Sequence, residues 1–132
     1  MRISALRLLL ILRVLIEFGR YDIVMRLRGF RAVHESLRRT SRRAGFRTQR
    51  VDCEMIAAAA DTARLFYPHT VRCLQCAAVT ARLMRRYGFA ARFVIGYLPA
   101  PFLSHAWVEV NHSVFSTERN LNVKAFEVLD RL

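Results

Sequence analysis

Residues 70–88, TVRCLQCAAVTARLMRRYG, carry the clearest structural signal in the chain. Thr70 offers a helix N-cap, and Gly88 follows two arginines of the kind that favour a helix C-terminus. The stretch therefore predicts a helix from about Val71 to Tyr87. Cys73 would then lie in the first helical turn, where the helix dipole and free backbone N–H groups lower the pKa of a thiol.

The pattern after this helix changes from helical to alternating. Residues 91–98 and 105–110 are rich in β-branched and aromatic side chains and predict two strands, and the pair Asn111-His112 predicts a tight turn into a third strand at about 113–116. In the second strand, His105, Trp107 and Glu109 share one face. Helices followed by an antiparallel sheet predict an α+β fold.

Three further helices are predicted before Thr70. They run from about Ser4 to Phe18, where Gly19 would end the first, from Tyr21 to Leu37 with a weak point at Gly29, and from Asp52 to Tyr67, where Pro68 stops the third. The basic segment between residues 38 and 48 lacks periodicity and predicts a loop. We expect one domain spanning 1–132, with a basic helical region at 1–48 and a catalytic core at 49–132.

The net charge of the chain indicates which classes of partner it can bind. The chain has 22 basic and 10 acidic residues, a net charge of +12, and such a surface attracts polyanions, acidic peptides or anionic lipid. Nucleic acid is not expected, because the sequence has no zinc-finger spacing, RNA-binding signature or phosphate loop. The apolar stretch 6–16 is interrupted by Arg7 and Arg13 and is too short to span a bilayer. Peripheral membrane contact is an alternative that the sequence by itself does not lead us to expect.

Three cysteines predict thiols and a cytoplasmic location, since an odd number does not suit a disulfide framework. Cys73 and Cys76 form a Cys-x-x-Cys pair, and with His69 and Cys53 four zinc ligands can be written down. The apolar neighbours of Cys76 favour a packed helix face instead, so we predict no metal and no cofactor. A strand histidine such as His105 facing the helix start at Cys73 is the arrangement of a nucleophilic Cys–His pair, although core packing of both is the simpler alternative.

Together these motifs resemble a known family, the transglutaminase-like cysteine peptidases that remove the leader from lasso peptide precursors. The resemblance rests on Arg72-Cys73-Leu74, Arg86-Tyr87-Gly88-Phe89, Phe93-Val94-Ile95-Gly96, Pro101-Phe102 and His105-Ala106-Trp107-Val108-Glu109. It covers residues 66–118 closely and the N-terminal half loosely. It implies a papain/transglutaminase-like fold, in which N-terminal helices precede a catalytic helix packed on a small antiparallel sheet.

The resemblance also implies catalytic roles. Cys73 would be the nucleophile and His105 the general base. The family usually has an aspartate about twelve residues beyond the histidine, where this chain has Thr117. Counting outward from a two-residue turn places Glu118 opposite His105, so Glu118 is the predicted third residue. A bulge would favour Thr117 or Asn120 instead, and a Cys–His dyad without a third member is a further alternative.

The implied partners are a precursor peptide with its leader, a separate small leader-recognition protein and an ATP-dependent, asparagine-synthetase-like cyclase. The basic N-terminal helices are a candidate docking surface for the recognition protein or for another acidic partner. Trp107 and Glu109 are predicted to be structural or to line the pocket. Two other functions stay open: a transglutaminase-like acyltransferase, and a non-catalytic basic peptide-binding module of the same fold.

Overall fold

The computed structural model describes residues 5–40, 51–99, 102–115 and 126–131. These residues form four helices followed by a four-stranded antiparallel sheet, which confirms the α+β fold class. The elements are α1 (Ala5–Arg28), α2 (Phe30–Thr40), α3 (Cys53–Phe66), α4 (Cys73–Arg86), β1 (Arg92–Pro99), β2 (Phe102–Val110), β3 (Ser113–Phe115) and β4 (Glu127–Arg131).

The first helix is longer than the sequence predicts. Gly19 does not end it, and α1 continues to Arg28. A glycine inside a helix costs about 1 kcal/mol, and here the packing of Tyr21 and Val24 against the core outweighs that cost. The break falls at Gly29, which has a φ of 77° and donates its N–H to the carbonyl of Met25 at 3.1 Å. Only glycine adopts this left-handed conformation without steric cost, so Gly29 separates α1 from α2.

The start and end of α3 are as predicted. Asp52 is the N-cap, and its carboxylate accepts a hydrogen bond from the backbone N–H of Met55 at 2.8 Å. Tyr67 has a ψ of 134°, an extended conformation, because the ring of the following Pro68 disfavours helical geometry in the residue before it. The N-cap of α4 differs from the prediction: it is Arg72, not Thr70, and its side chain makes no capping hydrogen bond.

The strands lie in the order β3-β2-β1-β4. Asn111 and His112 both have positive φ angles, 48° and 73°, and they form the predicted two-residue turn with Val110 paired to Ser113. The strand β2 begins at Phe102, earlier than predicted, because it pairs with β1 from Pro99 onward. The strand β4 was not predicted from the sequence. It pairs with β1, and the register of this pairing shifts between Ile95 and Gly96 of β1.

The two faces of the sheet have different packing partners. Ala106, Val108 and Val110 belong to the main core, which also contains buried side chains of α1, α3 and α4. Trp107 faces the other way and packs with Val94 and Phe126 in a second, smaller cluster. This is the alternation predicted for β2, and it places His105 on the face of the smaller cluster, at the level where the sheet meets the start of α4.

Candidate active site

Cys73 is the first residue of α4. Its side chain is half-buried, and its thiol is free. The first turn of a helix has backbone N–H groups without partners inside the helix, and no side chain from Arg72 caps them. Hydrogen bonding with the backbone of Ala106 and of Leu74 acts to lower the pKa of Cys73. The protein therefore surrounds this thiol with donors that stabilise its anionic form.

His105 lies on β2 opposite Gly96 and is buried. Its side chain forms a hydrogen bond with Cys73, and this bond has the largest effect on the pKa of the thiol. Burial alone would raise the pKa of Cys73, but the hydrogen bond from His105, the hydrogen bond with the backbone of Ala106 and the charge of the imidazole together lower it. A thiolate beside an imidazole is the form in which a cysteine acts as a nucleophile.

The structure thus brings together the two residues that the sequence singled out as a catalytic pair. The three candidates for the third position, Thr117, Glu118 and Asn120, lie outside the described residues. The described part of the β2–β3 hairpin keeps the predicted register as far as Val108 and Phe115.

Two aromatic side chains, Trp107 and Phe126, pack against the imidazole of His105, and we call them the aromatic wall. The rings of His105 and Trp107 are nearly parallel, with an interplanar angle of 22° and centroids 6.2 Å apart. Phe126 packs against both, with centroids 6.3 Å from His105 and 5.9 Å from Trp107. These contacts limit the rotation of His105 and shield one side of its ring from water. Sequence reasoning missed Phe126, because it lies far along the chain beside a strand that was not predicted.

Glu109 holds Trp107, one member of the aromatic wall, through a hydrogen bond. Its carboxylate accepts hydrogen bonds from Trp107 Nε1 at 3.0 Å and from Arg131 Nε at 3.3 Å. Partial burial acts to raise the pKa of Glu109, but these two donors outweigh it and the net effect lowers the pKa. The order Arg131, Glu109, Trp107, His105 is a continuous chain of contacts from the sheet edge to the imidazole.

A comparison with protein families identifies the fold. The family model described as the transglutaminase-like superfamily matches residues 18–131. The chain belongs to the transglutaminase-like superfamily. No curated protein and no solved structure matches it. A transglutaminase-like domain is compatible with a cysteine peptidase or an acyltransferase, and both activities use a thiol nucleophile.

The transglutaminase-like site is attached to the N-terminal helix through polar contacts. Gln75, two residues beyond Cys73, donates its side-chain N–H to the Phe18 carbonyl at 3.2 Å and to Asp22 Oδ1 at 3.1 Å. Asp22 also accepts a hydrogen bond from the Tyr67 hydroxyl. The sequence analysis missed these contacts, because residues 53 positions apart along the chain carry no local pattern that links them. They hold α1 against the first turn of α4.

Cys76 differs sharply from Cys73 although it lies only one turn away. It is buried, and desolvation raises the pKa of its thiol to about 11. It lines a cavity of about 420 Å³ between α3, α4 and the sheet. Among the described residues, no group of three or more His, Cys, Asp or Glu side chains is placed to hold a metal ion. Cys76 is therefore part of the packed helix face in this transglutaminase-like domain.

Proposed function

We propose that this protein is a cysteine peptidase that removes the leader from a ribosomally made lasso peptide precursor, with Cys73 as nucleophile and His105 as base and acid. The observation that carries the proposal is the hydrogen bond between His105 and the thiol of Cys73 at the start of α4. The resemblance of residues 66–118 to lasso leader peptidases supports the choice of substrate.

The reaction has two stages. In the first, the thiolate of Cys73 attacks the carbonyl carbon of the scissile peptide bond, and the C–N bond breaks when the imidazolium of His105 gives its proton to the departing amine. The departing amine is the new amino terminus of the core peptide, and the leader stays on Cys73 as a thioester. Backbone N–H groups in the first turn of α4 are positioned to stabilise the oxyanion that forms on the way.

In the second stage, water releases the leader. His105 takes a proton from the water, the hydroxyl attacks the thioester carbonyl, and the C–S bond breaks to give a free carboxylate and restore the thiol. The aromatic wall of Trp107 and Phe126 holds the imidazole in place during both stages. This mechanism needs no metal or cofactor.

The proposed reaction involves partners. A separate leader-recognition protein would present the precursor, and an asparagine-synthetase-like cyclase would use ATP to join the new amino terminus to a side-chain carboxylate. Cys53, Cys73 and Cys76 are not in disulfides, which suits a reducing compartment, so we place the reaction in the cytoplasm.

The test is cleavage of a lasso precursor by the purified chain together with its recognition protein, followed by mass spectrometry. We expect one cut between leader and core. The Cys73→Ala variant should form no product, while Cys76→Ala should keep most of the activity because its thiol is buried and protonated. Cleavage by Cys73→Ala at the wild-type rate would refute the mechanism. Formation of a leader hydroxamate in preference to the free acid on addition of hydroxylamine would indicate an acyltransferase.

A further inference from the structure

The helix α1 is apolar on two sides, and only one of them is covered. Its inward side packs into the core through Leu10, Val14 and Phe18. The outward side carries six large aliphatic side chains whose exposed fractions range from 49% at Leu12 to 79% at Leu27. We call this set the outer stripe; its members are Leu8, Leu9, Leu12, Ile16, Ile23 and Leu27.

The outer stripe is continuous. At 100° per residue, its six side chains fall within an arc of roughly 100° around the helix axis. With a rise of 1.5 Å per residue, the stripe extends about 28 Å from Leu8 to Leu27. A continuous exposed apolar patch of this length on a soluble domain normally marks a surface that contacts another molecule. We therefore expect the outer side of α1 to contact apolar groups of another molecule.

Positive charge borders the stripe. Arg13 and Arg20 lie along one border and Arg26 along the other, and all three are exposed. A guanidinium in this position can pair with a phosphate while its alkyl stem stays on apolar surface.

The two acidic residues of α1 are turned inward. Glu17 is buried and lies within 3.7–3.9 Å of Arg20, Arg82 and Arg86. Asp22 accepts hydrogen bonds from Tyr67 and Gln75. Both carboxylates of α1 therefore lie on its inner side, where Glu17 is near one of the border arginines, Arg20, at 3.9 Å.

We propose that α1 binds the surface of an anionic lipid bilayer through the outer stripe. A helix that presents leucine and isoleucine along one side, with arginines at the borders, can sink its aliphatic side chains below the headgroups while the arginines pair with lipid phosphates. None of the helices in the described residues is long and apolar enough to cross a membrane, so the contact is peripheral. The net charge of +12 adds long-range attraction to a negative surface.

A bilayer fits the stripe better than a protein partner does. Protein interfaces concentrate their binding energy in aromatic anchors seated in pockets, and the stripe contains only leucine and isoleucine. Ile23 and Leu27 also line a groove of about 750 Å³ between α1 and α2, and the other four members lie outside that groove. A second copy of the chain would bring another charge of +12 and another set of border arginines to the same surface. Because the opposite side of α1 packs on α3 and α4, lipid binding leaves Cys73 uncovered.

The experiment is sedimentation of the full chain with vesicles made of equal parts phosphatidylglycerol and phosphatidylcholine, compared with vesicles of phosphatidylcholine alone. The test variant is Leu12→Gln/Ile16→Gln/Leu27→Gln. The control is Leu65→Gln/Leu103→Gln/Leu129→Gln, which changes three aliphatic side chains of similar exposure, 48–77%, that lie on α3, β2 and β4. Thermal melting establishes that both variants fold as the wild type does.

We expect the wild type and the control to bind the anionic vesicles alike, and the stripe variant to bind at least about tenfold more weakly. Binding to phosphatidylcholine alone should be much weaker than to the anionic vesicles. Equal binding by all three proteins would overturn the proposal, as would failure of the wild type to bind anionic vesicles at low salt.

Two further outcomes would assign the stripe to a protein contact and so reject the lipid proposal. One is a wild-type dimer in analytical ultracentrifugation that becomes a monomer in the stripe variant. The other is saturable binding of an acidic amphipathic model peptide that the stripe variant loses, without any binding to vesicles. Neither outcome bears on the peptidase activity, because the stripe contains no residue of the Cys73–His105 site.

Discussion

Trp107 packs directly against the backbone of Gly96 on the neighbouring strand. A Cβ atom at position 96 would lie 2.5 Å from Trp107 Cη2 and 2.8 Å from Cζ3. The indole fits only because residue 96 has no side chain. Its ring also stacks with that of His105, so a glycine in β1 is linked through Trp107 to the imidazole on β2.

The first prediction concerns this close contact. We expect Gly96→Ala to destabilise the protein by about 1–3 kcal/mol, because the rigid, buried indole must move to admit a methyl group. Chemical denaturation measures the loss. Gly19→Ala is the matched control: a Cβ atom at position 19 would meet no atom within 4 Å, and alanine inside a helix is favoured over glycine, so it should be neutral or stabilise by up to about 1 kcal/mol. Equal stability of Gly96→Ala and wild type would contradict the packing described.

The second prediction concerns the hydrogen bond between Trp107 and Glu109. Glu109→Ala and Trp107→Phe should each destabilise the protein, and the double variant should lose less than the sum of the two, with a coupling of about 1 kcal/mol. Denaturation of the wild type, both single variants and the double variant gives the coupling directly. Glu109→Ala/Leu129→Gln supplies the comparison pair, since Leu129 is exposed and its effect should be additive.

An activity measurement distinguishes a role of Trp107 in orienting His105 from a role in stability alone. If the wall of Trp107 orients His105, Trp107→Phe should lower kcat with little change in KM for precursor cleavage, measured well below the melting temperature. A change confined to thermal stability would show that the indole only fills space.

The third prediction is a pH dependence. Because the hydrogen bond from His105 lowers the pKa of Cys73, the thiolate should persist to lower pH than in a free cysteine. The rate of alkylation of Cys73 by iodoacetamide should therefore reach half its maximum below the ordinary thiol pKa. His105→Ala removes the main lowering influence and leaves the burial that raises the pKa, so its midpoint should move to higher pH.

Peptide mapping by mass spectrometry resolves the two neighbouring thiols. Cys76, whose pKa is raised to about 11, should stay unmodified near neutral pH in the folded protein and serves as an internal control. An unchanged midpoint in His105→Ala would mean that the imidazole does not act on Cys73.

The contact of Cys73 with His105, which are far apart along the chain, was predicted from the order of helix and strands together with the family resemblance. Local patterns in the sequence were enough to predict the helix that contains Cys73, the hairpin turn at Asn111-His112 and the alternation of β2. Each depends on residues near one another in the chain: a glycine stop, a positive-φ dipeptide, a strand alternation. Gly19 misled the prediction because tertiary packing along α1 outweighs a small helix penalty.

The parts that escaped prediction are long-range. The strand β4 is short and lies next to β1 only in the folded sheet. Arg131 reaches Glu109 across 22 residues, and no periodicity reports such a contact. The supporting contacts of the candidate site are set by the fold as a whole, whereas the two predicted catalytic side chains, Cys73 and His105, lie in recognisable local motifs.

The last prediction addresses the third catalytic position. The described hairpin pairs Val110 with Ser113 and Val108 with Phe115, the register from which the sequence predicts that Glu118 pairs with His105. If Glu118 orients the imidazole, Glu118→Gln should lower the single-turnover rate by roughly ten- to a hundredfold with little change in precursor affinity. The loss should be smaller than in a serine protease, because a thiolate–imidazolium pair already carries the charges that a triad carboxylate otherwise stabilises. Thr117→Ala and Asn120→Ala are the matched comparisons, and His105→Ala should lose more activity than any of them. A full rate in Glu118→Gln alongside a slow Asn120→Ala would move the role to Asn120, and full rates in all three would leave Cys73 and His105 as a dyad.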